Sequence, residues 1–209
     1  MIFEHLIQYW NSLTTYQFLE YLGAFIGFFY LYYQYKADPK LWIYGLFMSI
    51  LYIIVFFHAK VFFWAAINVY YLVIQVYSIF NWRKVNSSDD TPTILKRFPV
   101  NKIWILIVII SVLSFILSLV AIRFLESAIP IPEAISTSLS LVAMYLLSKK
   151  YLEHWLIWIV VDLFYLVYNI VLGLYPTFFL YLVYTIVAVM GYFKWKQLYY
   201  DQMSTVSSK

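Results

Sequence analysis

The sequence predicts an all-α integral membrane protein with seven transmembrane helices. Hydrophobic residues make up 65% of the chain and charged residues only 11%, and the mean hydropathy is +0.80. Soluble domains carry about 25% charged residues, so this chain has too few polar side chains to cover a surface that faces water. A helix needs about 20 mostly apolar residues to cross the hydrocarbon core, and the chain offers seven such segments.

The predicted spans follow one another with short connections. Their bounds are 17–35, 41–58, 61–81, 103–123, 133–148, 155–174 and 177–195. Breaks in the apolar pattern separate neighbouring spans at Ala59-Lys60, Lys149-Lys150 and Gly173 with Pro176. We expect the polar connection 83–102 to be a mobile loop and the tail 196–209 to be frayed or disordered.

The positions of the basic residues predict the direction of insertion. Twelve of the 14 Lys and Arg residues follow odd-numbered spans, and only Lys60 and Arg123 lie on the other side. The positive-inside rule places residues 1–16 outside and the carboxyl-terminal tail in the cytoplasm. The basic residues are spread over loops, so we expect no nucleic acid partner. The chain has no cysteine, which excludes disulfides and thiolate chemistry.

An internal repeat appears when the second half of the chain is laid over the first. Residues 20–82 align with 133–195 without a gap, and the matched pairs include Trp42 with Trp155, Tyr52 with Tyr165 and Trp82 with Trp195. We therefore predict a 3+1+3 arrangement of two three-helix repeats, 17–82 and 133–195, joined by a linker helix over 103–123. Four crossings separate the repeats, so both enter the membrane in the same direction. Parallel repeats of this kind occur in transporters, with the site between the halves.

The strongest functional signal is the set Trp155, Trp158 and Asp162, at spacing i, i+3, i+7. On a helix these side chains share one face. A carboxylate about two turns inside a hydrocarbon-spanning segment is costly and must face a cavity or a partner. Two indoles beside a carboxylate suit a flat organic cation. The first repeat has Gly45 and Ser49 where the second has Trp158 and Asp162.

Other polar residues inside the spans allow two interpretations. They are either hydrogen-bond partners between helices or contacts to a substrate, and we count them as candidate binding residues: Asn68, Tyr71 and Gln75 in the third span, Tyr165 and Asn169 in the sixth. Trp155 could also belong to an interfacial aromatic belt.

Several residues near span ends favour structural roles. We interpret Trp82 and Trp195 as interfacial anchors. Glu20 and Glu133 would open helices, where a carboxylate is favoured by the helix dipole. The three histidines, His5, His58 and His154, are too dispersed for a metal site.

A resemblance adds to this interpretation. The stretch LEHWLIWIVVD, with its WxxWxxxD pattern, followed by GLYPTFFLYLVYTIVAVMGYFKW, resembles the PnuC family of bacterial vitamin transporters, as does LWIYGLFMSILYIIVF in the first repeat. The resemblance covers residues 17–197. It implies a 3+1+3 fold related to SWEET transporters in the bacterial cytoplasmic membrane. It also implies that Trp155, Trp158 and Asp162 contact the substrate.

The function implied by this resemblance is uptake of nicotinamide riboside by facilitated diffusion, with trapping by a cytoplasmic kinase. Thiamine uptake within the same family is the alternative, because both ligands are flat cations. The chain carries Asp162 where several members have Asn, which leaves the vitamin open.

An intramembrane enzyme is a remote alternative. The sequence has no GxSxG, HExxH or GxxxxGK[ST] motif to support one. We therefore expect no catalytic residues, no metal and no cofactor. The expected partners are the vitamin, the lipid bilayer and possible further copies of the chain in a homo-oligomer.

Overall fold

The computed structural model describes residues 15–86, 95–124 and 129–207. Within them the backbone forms seven long α-helices, and a short 3-10 turn, Val100–Lys102, leads into the fourth. The helices are α1 Thr15–Tyr35, α2 Leu41–His58, α3 Phe62–Asn86, α4 Ile103–Phe124, α5 Pro130–Ser148, α6 His154–Val171 and α7 Tyr175–Ser207. Each coincides with a predicted span, and most bounds agree within a few residues.

Six of the helices in the described residues, α2 to α7, are long and apolar enough to cross a membrane. The helix outside this set is α1, which carries six tyrosines together with Gln17, Glu20 and Gln34. Tyrosine hydroxyls and these polar groups lower its hydropathy. Membrane crossing by α1 therefore stays a prediction, whereas the multi-pass character of the chain is confirmed.

The helix caps explain where several helices end. Residues Ala37, Lys60, Lys150 and Gly173 have left-handed backbone torsions, with φ of 54°, 59°, 66° and 70°. Each follows a helix and lets the next amide bond back to the last turn, as in Leu174 N to Asn169 O at 2.9 Å and Tyr151 N to Leu146 O at 3.0 Å. This is the Schellman arrangement, which usually uses glycine. Gly173 fits it without a steric penalty, because glycine has no Cβ.

The helix boundaries repeat in the same alignment that relates the two halves of the sequence. Helix α1 ends at Tyr35 and α5 at Ser148, while α2 and α6 match at both ends and α3 and α7 at their starts. The left-handed caps match as well, Ala37 with Lys150 and Lys60 with Gly173. The repeat found from scattered sequence identities is therefore also a repeat in backbone conformation.

The described residues form two compact units. Unit 1 consists of residues 15–34 and 38–80, and unit 2 contains 35–37 and the described residues from 81 onward. In unit 2, α4 packs on α5, α5 on α6 and α6 on α7. Helix α5 buries small polar residues, among them Ser136, Ser138 and Ser140, which allow close helix approach.

Two expectations about the polar regions are wrong. Helix α7 continues to Ser207, so the tail is helical where we expected it to be frayed. The connection after α3 is also ordered from Leu95 onward, while its residues 87–94 lie outside the described part. The Leu95 amide donates to Gln202 Oε1 at 3.0 Å, and the Lys96 amide donates to Lys150 O at 2.9 Å. The segment from Leu95 is thus fixed to α7 and to the α5–α6 turn.

The two acidic residues predicted to open helices differ. Glu133 lies in the first turn of α5, with proline at the first helical positions, as a helix start favours. Glu20 lies more than one turn inside α1, because that helix already includes Thr15. The prediction is confirmed for Glu133 and wrong for Glu20.

Candidate functional site

Asp162 lies on α6 in the interior of unit 2. Its side chain is 7% exposed, and among the described residues it has neither a hydrogen bond nor an ion pair. The tyrosine hydroxyls of Tyr181 and Tyr184 on α7 are close enough to interact with it electrostatically. A buried carboxylate without a cation is costly, so Asp162 is a candidate partner for a positively charged ligand.

Several aromatic residues lie near Asp162 on α6 and α7. Tyr165 and Tyr181 are stacked with centroids 5.0 Å apart, and Tyr184 meets Tyr181 edge-on at 5.9 Å. Trp158 lies one turn before Asp162, and its indole N–H is buried without an acceptor in the described residues. We call these five residues the Asp162 box: Trp158, Asp162, Tyr165, Tyr181 and Tyr184.

The chemistry of the Asp162 box suits a flat organic cation. Ring faces attract positive charge through their quadrupole, and the carboxylate supplies the balancing anion. The unused indole N–H of Trp158 can donate a hydrogen bond to an acceptor on a ligand.

Trp155 lies on the same helix but in different surroundings. Its ring is 1% exposed, and it packs on His154 at 4.7 Å and Trp195 at 6.0 Å between ring centroids. On the remaining side it meets the backbone of α7 at Gly191. A ligand could reach this ring only after α6 and α7 separate. Substrate contact by Trp155 stays a prediction, while the geometry supports a packing role.

Trp82 and Trp195 are not interfacial anchors, because both side chains are fully buried. The Trp82 indole donates to Ser148 O at 3.0 Å, and its ring lies 6.5 Å from that of Trp195. The ammonium group of Lys150 sits 5.1 Å above the Trp82 ring, in cation–π geometry. The end of α3 is therefore tied to the α5–α6 turn by packing, which a lipid-facing ring would not provide.

In unit 1, Gln75 is the most unusual of the predicted binding residues. It is 1% exposed, and neither its amide nitrogen nor its amide oxygen has a partner in the described residues. The amide fills the space beside Gly45, where a Cβ would lie 2.8 Å from Nε2. Ser49, one turn further along α2, also buries an unpaired hydroxyl. Buried polar groups are normally paired, so this spot is suited to a polar ligand atom or a water.

The remaining predicted residues are engaged within the protein. The amide nitrogens of Asn68 and Asn169 bond to carbonyls of their own helices, Trp64 O at 2.9 Å and Tyr165 O at 2.6 Å. Such bonds one turn back are typical of structural polar residues in membrane helices. Tyr71 is half-buried and interacts electrostatically with Tyr30.

The predicted residues thus divide between the two units. Asn68, Tyr71 and Gln75 belong to unit 1, and Trp155, Trp158, Asp162, Tyr165 and Asn169 belong to unit 2. The structure brings Trp158, Asp162 and Tyr165 together and adds Tyr181 and Tyr184, which our site prediction missed. The chain has 22 tyrosines, so the spacing of Tyr181 and Tyr184 does not distinguish them from the others. The internal repeat was the available signal, because it pairs Tyr184 with Tyr71.

Within the described residues, no cluster of His, Asp and Glu could hold a metal ion.

Comparison with known proteins gives consistent matches. The chain is 22% identical over 176 residues to the nicotinamide riboside transporter PnuC of Escherichia coli K12, covering 73% of this chain and 74% of the relative. It is 24% identical over 143 residues to the PnuC of Neisseria mucosa, covering 61% and 52%. The crystal structure of the vitamin B3 transporter PnuC matches with a TM-score of 0.70 at 22% identity, covering 88% of this chain and 83% of that one.

The solved structure shows that this chain shares its fold, which agrees with the resemblance stated above. The model of the family described as nicotinamide mononucleotide transporter matches residues 17–197, nearly the whole length. A family of transporters also confirms that the chain is not an enzyme. The chain therefore belongs to the nicotinamide mononucleotide transporter family.

Proposed function

We propose that this protein carries nicotinamide riboside into the bacterial cytoplasm by facilitated diffusion. The observation that carries the proposal is the unpaired, buried carboxylate of Asp162 among the rings of Trp158, Tyr165, Tyr181 and Tyr184. Nicotinamide riboside is a flat cation, and it would supply the positive charge that the described residues do not. The relatives from Escherichia coli and Neisseria mucosa carry this vitamin in their names.

The family description names the mononucleotide, whereas the relatives are named for the riboside. The chemistry of the site favours the riboside. A mononucleotide would bring a phosphate of charge about −2 close to Asp162, in poorly hydrated surroundings where like charges repel strongly. In the sequence, basic residues lie near the ends of the spans and not in the middle, where they could receive such an anion.

This selectivity makes trapping possible. A cytoplasmic kinase would convert the imported riboside into a phosphorylated form that the carrier rejects. Uptake would then continue without an energy source of the carrier itself. The kinase is a functional partner in this scheme and requires no docking surface on the protein.

We also propose the 3+1+3 arrangement of two parallel repeats, with the amino terminus outside and the carboxyl terminus in the cytoplasm. The matching helix bounds and caps of the two aligned halves support the repeat. The bias of Lys and Arg toward one side supports the orientation. Parallel repeats joined by an odd number of helices are an architecture of known transporters.

The decisive experiment compares three ligands in proteoliposomes that contain the purified protein. Radiolabelled nicotinamide riboside, thiamine and nicotinamide mononucleotide are offered at equal concentrations, with protein-free liposomes as the blank. We expect saturable uptake of the riboside and none of the mononucleotide. Saturable uptake of thiamine alone would mean that the substrate is thiamine and not the riboside. Equal uptake of riboside and mononucleotide would contradict the proposed site.

A further inference from the structure

Ser136 of α5 and Tyr165 of α6 form a hydrogen bond between their hydroxyl groups. Their hydroxyl oxygens are 3.0 Å apart, and Ser136 is 3% exposed. The serine hydroxyl also donates to Glu133 O at 3.0 Å. A hydroxyl has one hydrogen, so the arrangement that uses both contacts has Tyr165 donating to Ser136. The hydroxyl of Tyr165 is therefore engaged inside the protein by Ser136.

The ring of Tyr165, held by this hydrogen bond, packs against α7. It is stacked on Tyr181 with an interplanar angle of 20° and a centroid distance of 5.0 Å. Tyr181 in turn lies within electrostatic range of Asp162, which is one turn before Tyr165 on α6. The Tyr181 hydroxyl makes no hydrogen bond within the described part of the chain, so it is free to contact a ligand.

The corresponding positions of unit 1 lack this arrangement. In the repeat alignment, Gly23 takes the place of Ser136, Tyr52 that of Tyr165 and Asn68 that of Tyr181. The ring of Tyr52 packs directly over Gly23, where a Cβ would lie 3.3 Å from Cε2 and Cζ. It also stacks on Phe56, on its own helix, at 5.7 Å between ring centroids. At these positions unit 1 therefore keeps the tyrosine but has a glycine in place of the serine and an asparagine in place of the second tyrosine.

We propose that Ser136 and Tyr165 are positioning residues that hold the ring of Tyr181 beside Asp162, and that Tyr181 is the ring on which the substrate cation stacks. The proposal rests on the proposed function and refines it. The hydrogen bond fixes the rotation of the Tyr165 ring, and the stacked pair then sets the plane of the Tyr181 ring against which a flat organic cation would lie. This assigns Tyr165 a supporting role in place of the substrate contact that the sequence predicted.

The test is uptake of radiolabelled nicotinamide riboside by proteoliposomes with four variants. Tyr165→Phe and Ser136→Ala each remove the hydrogen bond and keep the packing. We expect each to raise KM about three- to tenfold with little change in maximal rate, as the loss of one positioning hydrogen bond would. The double variant should be no worse than either single variant, because both act through one contact. Tyr181→Leu should raise KM further, and thermal unfolding in detergent checks that each variant is folded.

Tyr52→Phe is the matched control, because it makes the same change at the equivalent position of unit 1, and it should keep the wild-type KM. Additive effects of Ser136→Ala and Tyr165→Phe, or a wild-type KM for Tyr181→Leu, would overturn the assignment. The two proposals fail differently. If the wild-type protein transports the riboside and Asp162→Asn impairs it while these variants do not, only the positioning role is wrong. If the wild-type protein carries neither riboside nor thiamine, both proposals are wrong.

Discussion

Trp155 and Gly191 meet so closely that a Cβ on residue 191 would lie 2.5 Å from Cζ2 of the indole. Real Cβ atoms essentially never approach a ring to that distance, so α6 and α7 depend on the absence of a side chain here. The contact lies two turns from Asp162 and fixes the end of the helix that carries it. The glycine is thus part of the framework of the site.

Gly191→Ala should therefore destabilise the protein. The ring of Trp155 packs against both His154 and Trp195, so it cannot yield easily, and overpacking of this kind typically costs about 1–3 kcal/mol. Thermal unfolding in detergent measures the loss. Gly27→Ala is the control, because a Cβ there would meet only the flexible Met48 sulfur at 3.4 Å. Equal stability of the two variants would show that Trp155 has room to move.

Asp162→Asn should weaken binding of nicotinamide riboside while leaving the protein folded. The substitution keeps the shape and removes the charge that balances the cation. A charge interaction in a partly hydrated cavity contributes about 1–3 kcal/mol, so affinity should fall roughly tenfold to a hundredfold. Calorimetry with the purified protein measures it. Asp201→Asn, on the exposed end of α7, is the control. An unchanged affinity for every cationic vitamin tested would remove Asp162 from the site.

Transport should equilibrate the substrate and not concentrate it. The sequence has no phosphate-cradling GxxxxGK[ST] motif, and its spans offer no series of titratable residues for a proton relay. Proteoliposomes should fill until the internal and external concentrations are equal, with or without a proton or sodium gradient. Accumulation above the external concentration under either gradient would refute this uniport mechanism.

Lys150 should make stability depend on pH in the alkaline range. Burial and the neighbouring Lys96 lower the pKa of the Lys150 ammonium group to about 8, against about 10.4 for an unfolded lysine. Between these values the unfolded chain holds a proton that the folded protein has released, so stability should rise as pH increases from 8 to about 10.5. Below pH 8 the cost of burying the charge is fully present.

Lys150→Met tests this, because it keeps the apolar stem and removes the ammonium group. The measurement is thermal unfolding at pH 7, 8, 9 and 10. The stability of the variant should rise less over this range than that of the wild-type protein, because the contribution of Lys150 is missing. Lys196→Met, on the extension of α7, should follow the wild-type profile. A wild-type profile for Lys150→Met would mean that this ammonium group is well hydrated.

The sequence predicts the helices well because apolar length decides whether a segment spans a membrane. It fails at the ends of helices. The charged and polar residues after Trp195 are as compatible with a helix as with a frayed tail, and the contact between Gln202 and Leu95 connects residues too distant in sequence to be predicted.

The sequence points to the candidate site where a chemical group is rare and gives no signal where the group is common. A carboxylate inside an apolar helix is costly, so Asp162 could be singled out from the sequence. A tryptophan near a helix end, such as Trp82 or Trp195, has the same spacing whether its ring faces lipid or a neighbouring helix. Tyr181 and Ser136 carry no signal of their own, and their importance depends on which residues α5, α6 and α7 bring together.

The Schellman caps at Ala37, Lys60, Lys150 and Gly173 bond through backbone atoms alone, so they hold their geometry whether the residue is alanine, lysine or glycine. The course of the backbone through these turns therefore does not depend on which side chain the cap residue carries. The sequences of the two halves can therefore diverge while the turns keep their backbone geometry. One half can acquire an indole and a carboxylate at positions 158 and 162 while the other keeps a glycine and a serine, and specialisation then requires no remodelling of the turns.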